Sequence, residues 1–271
     1  MDQVGHKLMA KITSVEEPDE SVGGASRAPA VARAASVLRL LAGERTGLGV
    51  SEIARRIGLV PSTCLHVLRA LVEEGFVTFD EQKKTYNTGV GLLTLVRDAM
   101  ASSPFPRVVQ PVLDEVAAGQ HVTAAALEFD ARGRMVVVAL ARSDAFISLH
   151  LNIGARFPAM LSATGRCFAA VSNFSREELK ERFAQLRWEK APRFEDWLAE
   201  VERARVEGVA VDRGNYLRGL TAIATLLPVG ADRTLRGIAS IGFEHRMTER
   251  AVRQVKDVLI EARQTIASRL Q

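Results

Sequence analysis

The stretch VSEIARRIGLVPSTCLHVLRALVEEGFV, residues 50–77, specifies the architecture of the N-terminal part of this chain. Ile53 and Ile57 recur at helical spacing in its first third, which predicts a short amphipathic helix. Gly58 stands where helices commonly end in a left-handed residue. Pro61 stands where a second helix can begin, because the first N–H groups of a helix have no partner within it. The stretch therefore predicts two helices joined by a tight turn.

The second predicted helix has one apolar face and one polar face. The apolar stripe consists of Leu65, Leu68, Leu71 and Val72. The outer face carries Ser62, Thr63, His66 and Arg69. A short turn between two helices, with a polar outer face on the second helix, is typical of helix–turn–helix DNA-binding domains. We therefore expect the second helix to enter the major groove of DNA.

Each polar side chain on this face has a chemical reason to contact DNA. Ser62 and Thr63 lie at the helix N-terminus, where hydroxyls and free N–H groups favour phosphate oxygens, although helix capping explains these two residues equally well. Arg69 can reach a guanine edge or a phosphate, and His66 is a weaker reader of bases. An ordinary helix pair with a solvated face is the alternative interpretation.

A charged hairpin is predicted directly after the second helix. Residues 76–79 alternate apolar and polar side chains as a short strand does, residues 80–84 form a polar turn, and residues 85–87 return. A hairpin in this position is a wing, and we expect Lys83 and Lys84 at its tip to contact the DNA backbone or minor groove, unless they serve only solubility. The full set of candidate DNA-binding residues is Arg33, Ser51, Pro61, Ser62, Thr63, His66, Arg69, Lys83 and Lys84.

Composition and charge limit the classes of protein to consider. The chain has 271 residues, of which 47% are hydrophobic, enough for two domains of ordinary size. The net charge is +4, and the segment 55–69 contains three arginines and no acidic residue, which places positive charge at the predicted DNA contact. The sequence has no secretory signal and no apolar run of about 18 residues, so we expect a cytoplasmic protein without membrane contact.

The sequence offers little support for catalysis or metal binding. The five histidines are scattered and lack the spacing of metal ligands, so we predict no metal and no cofactor. Nucleophile-elbow, phosphate-loop and dinucleotide-binding patterns do not occur in the sequence. Arg166 beside Cys167 leaves a cysteine-dependent hydrolase as one alternative. A further alternative for the function is that the winged domain binds protein instead of DNA.

We divide the chain into four parts. Residues 1–26 are polar and predicted to be disordered, and residues 27–88 form the winged domain, with a first helix over residues 30–42. Residues 89–106 are predicted to be a linker helix that the prolines near its end interrupt. Residues 107–271 form a second domain. Because a helical linker is stiff, it can transmit motion between the two domains.

The second domain is predicted to be α+β. We expect helices over residues 108–118, 163–172, 176–187, 194–207 and 248–270. We expect strands over residues 122–129, 135–141, 146–151, 209–212, 220–228 and 235–243. Helices that flank an antiparallel sheet make this class of fold.

This order of elements, together with several local motifs, resembles the isocitrate-lyase-regulator (IclR) family of bacterial transcription regulators. The motifs are GVGLLTL at residues 89–95, FPAMLSATGR at 157–166, EGVAVD at 207–212 and GLTAIA at 219–224, and the resemblance covers about residues 28–270. It implies an N-terminal winged helix–turn–helix domain, a linker helix, and a C-terminal GAF-like domain that binds an effector and takes part in oligomerisation.

The resemblance also implies where an effector binds, in a cup between the sheet and the loop of residues 157–166. The residues carried over from the family are Ala163, Thr164, Gly165, Asp212, Asn215, Tyr216, Ala222 and Ser240. The chemistry of nearby residues suggests two further parts of the site. Phe146 and Met160 could form an apolar wall. The segment that starts at Ser162 has small and hydroxyl-bearing side chains at a helix start, which suits an anion or carboxylate. Capping of a helix by Ser162 and packing of Met160 in the core are the alternatives.

We therefore expect a transcriptional regulator, acting as repressor or activator, that is controlled by a small organic effector such as a carboxylate or an aromatic compound of catabolism. We expect no enzymatic activity. The expected partners are a double-stranded DNA operator, the effector, and further copies of the chain in a homodimer or a dimer of dimers. Effector binding would change the spacing of the recognition helices in the dimer.

Overall fold

The computed structural model of the chain describes residues 28–130, 133–143, 151–228 and 234–270. These residues form two compact units, with the division between Ser103 and Pro104. The tail predicted to be disordered, residues 1–26, lies outside the described residues, and so does the strand predicted over residues 146–151 apart from its last residue.

The N-terminal unit contains helices and a two-stranded sheet. Its elements are α1 (Pro29–Gly43), α2 (Val50–Arg56), α3 (Pro61–Glu73), β1 (Val77–Asp80), β2 (Thr85–Thr88) and α4 (Gly91–Ser102). The first helix, the helix pair, the hairpin and the helix after the hairpin are therefore all present where the sequence predicts them.

The turn between α2 and α3 has the geometry that its sequence favours. Gly58 adopts a left-handed conformation with φ of +67°, and the N–H of Leu59 donates to the carbonyl of Ala54 at 2.9 Å. Pro61 occupies the first turn of α3, where its missing N–H removes no helical hydrogen bond. The two helices then bury one core together with α1 and β1, which includes Val37, Ile53, Leu68 and Val77.

The hairpin of β1 and β2 is held by contacts at its tip and along β2. At its tip, the Asp80 carboxylate accepts hydrogen bonds from the N–H groups of Gln82 and Lys83, each at 3.0 Å. On the outer side of β2, Leu48 forms an antiparallel bridge with Tyr86, and both side chains are buried. The bridge joins the hairpin to the segment between α1 and α2, a contact that local sequence patterns did not predict.

The C-terminal unit is a six-stranded antiparallel sheet covered by helices. Its elements are α5 (Pro104–Gln120), β3 (Thr123–Phe129), β4 (Arg134–Arg142), β5 (Arg156–Pro158), α6 (Ser162–Val171), α7 (Arg176–Ala184), α8 (Phe194–Glu207), β6 (Val209–Arg213), β7 (Leu220–Leu226), β8 (Arg236–Phe243) and α9 (Glu249–Leu270). The strand order is β5–β4–β3–β8–β7–β6. The α+β prediction is therefore confirmed.

The two faces of the sheet bury separate cores. Side chains of α5 and α9, such as Leu113 and Leu259, pack with Ile238 on one face. Side chains of α6 and α8 pack on the other face, with Ala239 of the same strand. Successive residues of a strand point to opposite faces, so neighbouring residues of β8 belong to different cores. In β4 the pattern changes at the register shift against β3, since Met135 and Val137 belong to one core and Ala139 and Ala141 to the other.

Two elements differ from their predicted bounds. The helix expected from residue 108 begins at Pro104, because a proline that looks like a helix break from its sequence is also well suited to a first turn. Strand β5 was not predicted, since its three residues are too few for a periodic pattern, and it forms by pairing Phe157 with Met135 of β4. None of the helices within the described ranges is both long and apolar enough to cross a membrane.

Candidate DNA-binding surface and ligand cavity

The polar face of α3 is directed to solvent. His66 and Arg69 are exposed, whereas Cys64, Leu68 and Leu71 on the opposite side of the helix are buried. The buried residues anchor α3 in the core of the N-terminal unit. The helix therefore presents an ordered polar edge on a fixed support, as a recognition helix must.

Helix capping does not account for the hydroxyls at the start of α3. The N-cap residue is Val60, which makes no side-chain capping hydrogen bond, and Pro61 is the first helical residue. Ser62 is exposed and Thr63 is half-buried in the first turn. The N–H groups of a first helical turn have no intrahelical partner and favour an anion, so this end of α3 suits a DNA phosphate.

The other candidate DNA-binding residues are also on the surface. Exposed residues are Arg33, Ser51, Pro61, Lys83 and Lys84. The Nζ atom of Lys84 lies 5.8 Å from the centroid of the Phe79 ring, and the Nζ atom of Lys83 lies 3.9 Å from the Asp80 carboxylate. Because exposed contacts of this kind are weak, both ammonium groups stay available to a phosphate.

Two of the three arginines in segment 55–69 are engaged locally. Arg55 and Arg56 both donate hydrogen bonds to the Glu52 carboxylate, and Arg56 also donates to Glu44 at 2.7 Å. Hydrogen bonds from Arg55 and Arg56 lower the pKa of the Glu52 carboxyl, and the hydrogen bond to Glu52 raises the pKa of Arg56. Glu44 and Glu52 lie outside residues 55–69, so the charge counted over that segment is larger than the positive charge that is free to contact DNA.

The C-terminal unit contains a cavity against the face of the sheet that α6 and α8 cover, where β6, β7 and β8 lie side by side. We call this face the cavity side of the sheet. Its lining consists of Leu151, Phe157, Ser162, Asp212, Tyr216, Leu217, Leu220, Ala222 and Ile241. Asp212 reaches it from β6, and Ser162 reaches it from the start of α6. Most of the lining is apolar, with few polar groups, which is usual for sites that bind small organic molecules.

Three of the predicted effector-binding residues line this cavity. They are Asp212, Tyr216 and Ala222. Phe146 lies outside the described residues. Asn215 is not in the lining, because its side chain is turned to the protein: Oδ1 accepts from Arg166 at 2.8 Å, and Nδ2 donates to the carbonyl of Lys190 at 3.2 Å.

The structure does not bring Met160, Ala163, Thr164 or Gly165 to the cavity. All four are buried in the packing of α6 against the turn before it. A Cβ on Gly165 would lie 1.9 Å from the carbonyl carbon of Met160, so the backbone of the turn fills the space beside the helix. The anion seat expected along this segment is therefore largely closed, and Ser162 is its one member in the lining.

Ser162 is also not a helix cap. The N-cap of α6 is Leu161, and Ser162 follows it with φ of +58°, a left-handed conformation that is unfavourable for residues other than glycine. The Nη1 of Arg166 donates to the Ser162 carbonyl at 2.9 Å, which helps to hold this conformation. Strained residues of this kind persist only where the surrounding structure holds them in place, and they occur most often at active sites and ligand sites.

Ser240 lies on the other face of the sheet. Its neighbours along β8, Ala239 and Ile241, belong to the core on the cavity side, so alternation places Ser240 with Ile238 among the side chains facing α5 and α9. The Ser240 hydroxyl is buried there and has no hydrogen-bond partner among the residues that the structure describes. A one-residue shift along a strand is enough to separate a residue from the predicted site.

A buried arginine that sequence patterns did not single out lies beside the cavity. The side chain of Arg166 is 0% exposed, and its Nε donates to Glu200 at 2.6 Å. Its other guanidinium nitrogens donate to Asn215 and to the Ser162 carbonyl, and Nη1 lies 3.6 Å from the Asp212 carboxylate. One signal was present in the sequence, since Arg166 is the only charged residue within an otherwise small and apolar helix.

Asp212 connects this buried group to the cavity. One of its carboxylate oxygens accepts from the N–H of Asn215 at 2.8 Å, and the other accepts from the N–H of Tyr216 at 3.3 Å. The carboxylate thus fixes the turn after β6, and this turn carries the Tyr216 ring into the cavity lining. Tyr216 meets Phe157 edge to face, with ring centroids 6.4 Å apart.

The cysteines are not placed for nucleophilic chemistry. Cys167 is buried, and its thiol donates to the carbonyl of Ala224 at 3.2 Å. Burial raises the pKa of Cys167 to about 12 and also raises the pKa of Cys64. A thiol with such a pKa carries almost no thiolate near neutral pH. Within the part of the chain that is described, no group of three or more His, Cys, Asp or Glu residues is placed to hold a metal ion.

Comparison with known proteins agrees with this arrangement. The model of the IclR helix-turn-helix domain matches residues 30–81, and the model of the bacterial transcriptional regulator IclR C-terminal domain matches residues 98–268. The HTH-type transcriptional regulator Rv1719 of Mycobacterium tuberculosis is 31% identical over 224 residues, which are 79% of this chain and 81% of that protein.

Solved structures share the fold. An IclR transcriptional regulator from Alicyclobacillus acidocaldarius matches with a TM-score of 0.78 and 24% identity, over 89% of this chain and 98% of that chain. An IclR homolog from Microbacterium hydrocarbonoxydans, complexed with 4-hydroxybenzoate, matches with a TM-score of 0.74 and 19% identity, over 89% and 98% of the two chains. The two domain matches and the relative in Mycobacterium establish that this chain belongs to the IclR family of DNA-binding transcriptional regulators, which are not enzymes.

Proposed function

We propose that this regulator binds its operator through the outer face of α3, as a homodimer or a dimer of dimers in the bacterial cytoplasm, and that a small organic molecule in the cavity changes its affinity for DNA. The observation that carries the DNA contact is the exposure of His66 and Arg69 on a helix whose other side is buried. Base edges in the major groove are read by exposed helical side chains of this kind.

The apolar surface of the N-terminal unit supports a dimer. Exposed apolar side chains lie just before and within α4, with Val90 78% exposed and Leu93 71% exposed, and Leu95 and Val96 are also exposed. Val31 on α1 is 68% exposed. Exposed apolar surface is favourable to cover, and a second copy supplies a matching surface through two-fold symmetry. Two recognition helices held at a fixed spacing then read two half-sites.

The cavity supports control by a ligand. A ligand that binds one arrangement of the dimer more tightly than another shifts the population toward that arrangement, by as much as the difference in its two binding free energies. Helix α4 belongs to the N-terminal unit and α5 to the C-terminal unit, and only Ser103 separates the two helices. This connection is far shorter than a flexible glycine-rich linker, and we propose that a change in the C-terminal unit reaches the N-terminal unit through it.

The test is a titration of the protein against the DNA upstream of its own gene, followed by fluorescence anisotropy at several salt concentrations. We expect a specific complex that weakens as salt rises, because phosphate contacts release counterions. Unrelated DNA of equal length is the control. Equal affinity for both duplexes would contradict the proposal.

The dimer is tested separately by light scattering of Leu93→Lys beside Thr94→Lys. Both residues are exposed, so neither substitution disturbs the core of the unit. We expect Leu93→Lys to shift the protein toward a smaller assembly, since it places a charge in the apolar contact. Thr94→Lys is expected to have the smaller effect, and a monomeric wild-type chain would contradict the proposal.

A further inference from the structure

The charges around the cavity indicate the class of its ligand. We infer that the ligand is an uncharged, mostly apolar molecule with a hydroxyl group that donates a hydrogen bond to Asp212. The inference rests on the proposed function, because it names the effector class of the same cavity. It also replaces the carboxylate that the sequence of residues 162–165 suggested.

The walls of the cavity are suited to the apolar part of such a ligand. The apolar lining consists of Leu151, Phe157, Leu217, Leu220, Ala222 and Ile241. Transfer of an apolar group from water into such surroundings is favourable, and the gain is roughly 25 cal/mol for each Å² of apolar surface that is buried. A charged group in the same surroundings loses its hydration and requires a partner of opposite charge.

An anionic ligand finds no such partner among the described residues of the lining. The described part of the lining contains no Lys, Arg or His side chain, and its one charged group is the carboxylate of Asp212. Arg166 is close by, but its side chain is fully buried, is not part of the lining, and is bound to Glu200, Asn215 and the Ser162 carbonyl. A ligand carboxylate would therefore lie near the Asp212 carboxylate without a free cation.

A cationic ligand is also disfavoured. The Asp212 carboxylate has the Nη1 of Arg166 at 3.6 Å, and Arg166 is shared with Glu200, so part of the Asp212 charge is compensated from inside the protein. A ligand ammonium would lose its hydration in an apolar cavity and gain only a share of a charge that is already paired. A ligand anion meets a like charge, and a ligand cation loses its hydration for a carboxylate that Arg166 already partly compensates, whereas a neutral ligand avoids both penalties.

Asp212 can still accept one more hydrogen bond. An ionised carboxylate offers about four lone-pair positions, and the N–H groups of Asn215 and Tyr216 occupy one position on each oxygen. A hydroxyl is the neutral group that donates well to a carboxylate, and charge-assisted hydrogen bonds of this kind are the stronger ones. The lining also contains the hydroxyl-bearing side chains of Ser162 and Tyr216, which are further groups that can hydrogen-bond to a hydroxyl.

The inference is tested by calorimetry with probes that share one ring and differ in one group. The probes are benzyl alcohol, benzoate, benzylamine and toluene, and the protein is the full chain in its native assembly. We expect benzyl alcohol to bind tightest, with benzoate and benzylamine weaker by about tenfold or more because their charges are not matched. Toluene is expected to be weaker by several-fold, since it makes no hydrogen bond. The series is repeated with cyclohexylmethyl and 2-naphthylmethyl bodies, so that ring size does not decide the outcome.

Two variants place the binding in the cavity. Asp212→Asn removes the negative charge, so the ratio of alcohol to carboxylate affinity should fall toward one or reverse. Ala222→Phe fills the cavity from the sheet side and should abolish binding of every probe. Thermal unfolding of each variant without ligand establishes that it folds. If Asp212→Asn does not fold, the comparison of probes on the wild-type protein still decides the inference.

The outcomes separate the ligand class from the proposed function. Tighter binding of the carboxylate or the amine than of the alcohol, on each ring body, overturns the inference, and so does an absence of binding by all the alcohols. Anisotropy with operator DNA is measured on the same samples. If an alcohol binds without changing DNA affinity, the ligand class stands and ligand control of DNA binding fails. If only carboxylates bind and they change DNA affinity, ligand control stands and this inference fails.

Discussion

Helix α3 and helix α6 each follow a tight turn and each contain one arginine, but the two arginines have opposite environments. Arg69 on α3 is exposed and makes no side-chain hydrogen bond or ion pair with the described residues. Arg166 on α6 is fully buried and binds an acid, an amide and a carbonyl. The same residue type thus serves an outward surface in one unit and an internal support in the other.

The difference follows from what surrounds each helix. Around α3 the apolar residues lie on one side, so the period of the helix alone directs Arg69 to solvent. Around α6 both sides are covered, and the position of Arg166 depends on Glu200 of α8 and on Asp212 of β6. Exposure of the first arginine is a local property, whereas burial of the second is a property of three elements together.

The largest expected effect is on stability, from Arg166→Ala. The substitution removes the cation from a buried group and leaves Asp212 and Asn215 without it, so we expect a loss of about 3–5 kcal/mol in the free energy of unfolding. The measurement is urea denaturation at a fixed protein concentration. Arg205→Ala is the matched control, since Arg205 pairs with Glu202 on the exposed side of α8. Equal effects of the two substitutions would remove the contrast between buried and exposed arginines.

Gly165→Ala should have the next largest effect. The added methyl group would meet the backbone of Met160, which cannot move aside as a flexible side chain can, and we expect a loss of about 1–3 kcal/mol or more. Gly119→Ala on α5 is the control, because nothing lies within 4 Å of its Cβ position. Thermal unfolding of both variants checks the prediction. A neutral Gly165→Ala would mean that the turn before α6 has room for a ligand group.

Arg69→Ala should weaken operator binding without affecting the fold. We expect a loss of about 1–3 kcal/mol in binding free energy if the guanidinium reads a base. Arg253→Ala, an exposed arginine on α9, is the charge-matched control and should leave operator affinity nearly unchanged. Anisotropy titrations with one duplex at one salt concentration give the comparison. Unchanged binding by Arg69→Ala would favour a winged domain that contacts protein instead of DNA.

The smallest expected effect concerns the pH dependence of Glu52. Hydrogen bonds from Arg55 and Arg56 lower the pKa of its carboxyl in the folded chain. The resulting stabilisation is complete above the pKa of the unfolded chain and is lost as the pH falls through the lower folded value. Because the group is exposed, the change should be small and should diminish further in high salt. Denaturation of Glu52→Gln and wild type across the acid range checks this, and a gain in stability of wild type over Glu52→Gln on acidification would contradict it.

Much of the N-terminal unit was predictable because its signals are local. The period of Ile53 and Ile57, the left-handed Gly58 and the first-turn Pro61 all act within a few residues, and each has the predicted geometry. The bridge between Leu48 and Tyr86 was not predictable in this way, since it joins residues that are distant in sequence. The same limit applies to β5, which exists only through its pairing with β4.

Only some of the residues predicted to bind an effector lie together in the structure. Asp212, Tyr216 and Ala222, which the resemblance to the family suggested, line the cavity, whereas Ser240 lies on the opposite face and Gly165 packs against a turn, and binding of an effector stays a prediction for all of them. Each of these outcomes depends on strand parity or on the distance between a helix and a turn. A shift of one residue or a fraction of a helical turn reverses such an assignment, and a motif does not carry that information.

The order of residues alone was enough to establish a helix–turn–helix with a wing, followed by an α+β domain, because periodicity and turn chemistry act over short distances along the chain. Three-dimensional packing was needed to show that Arg166 supports the cavity from behind, that Asp212 is its one charged lining group among the described residues, and that Glu52 holds two of the arginines near α3. The physical reason is that charge is matched through space, and the residues that match it come from elements far apart in the sequence.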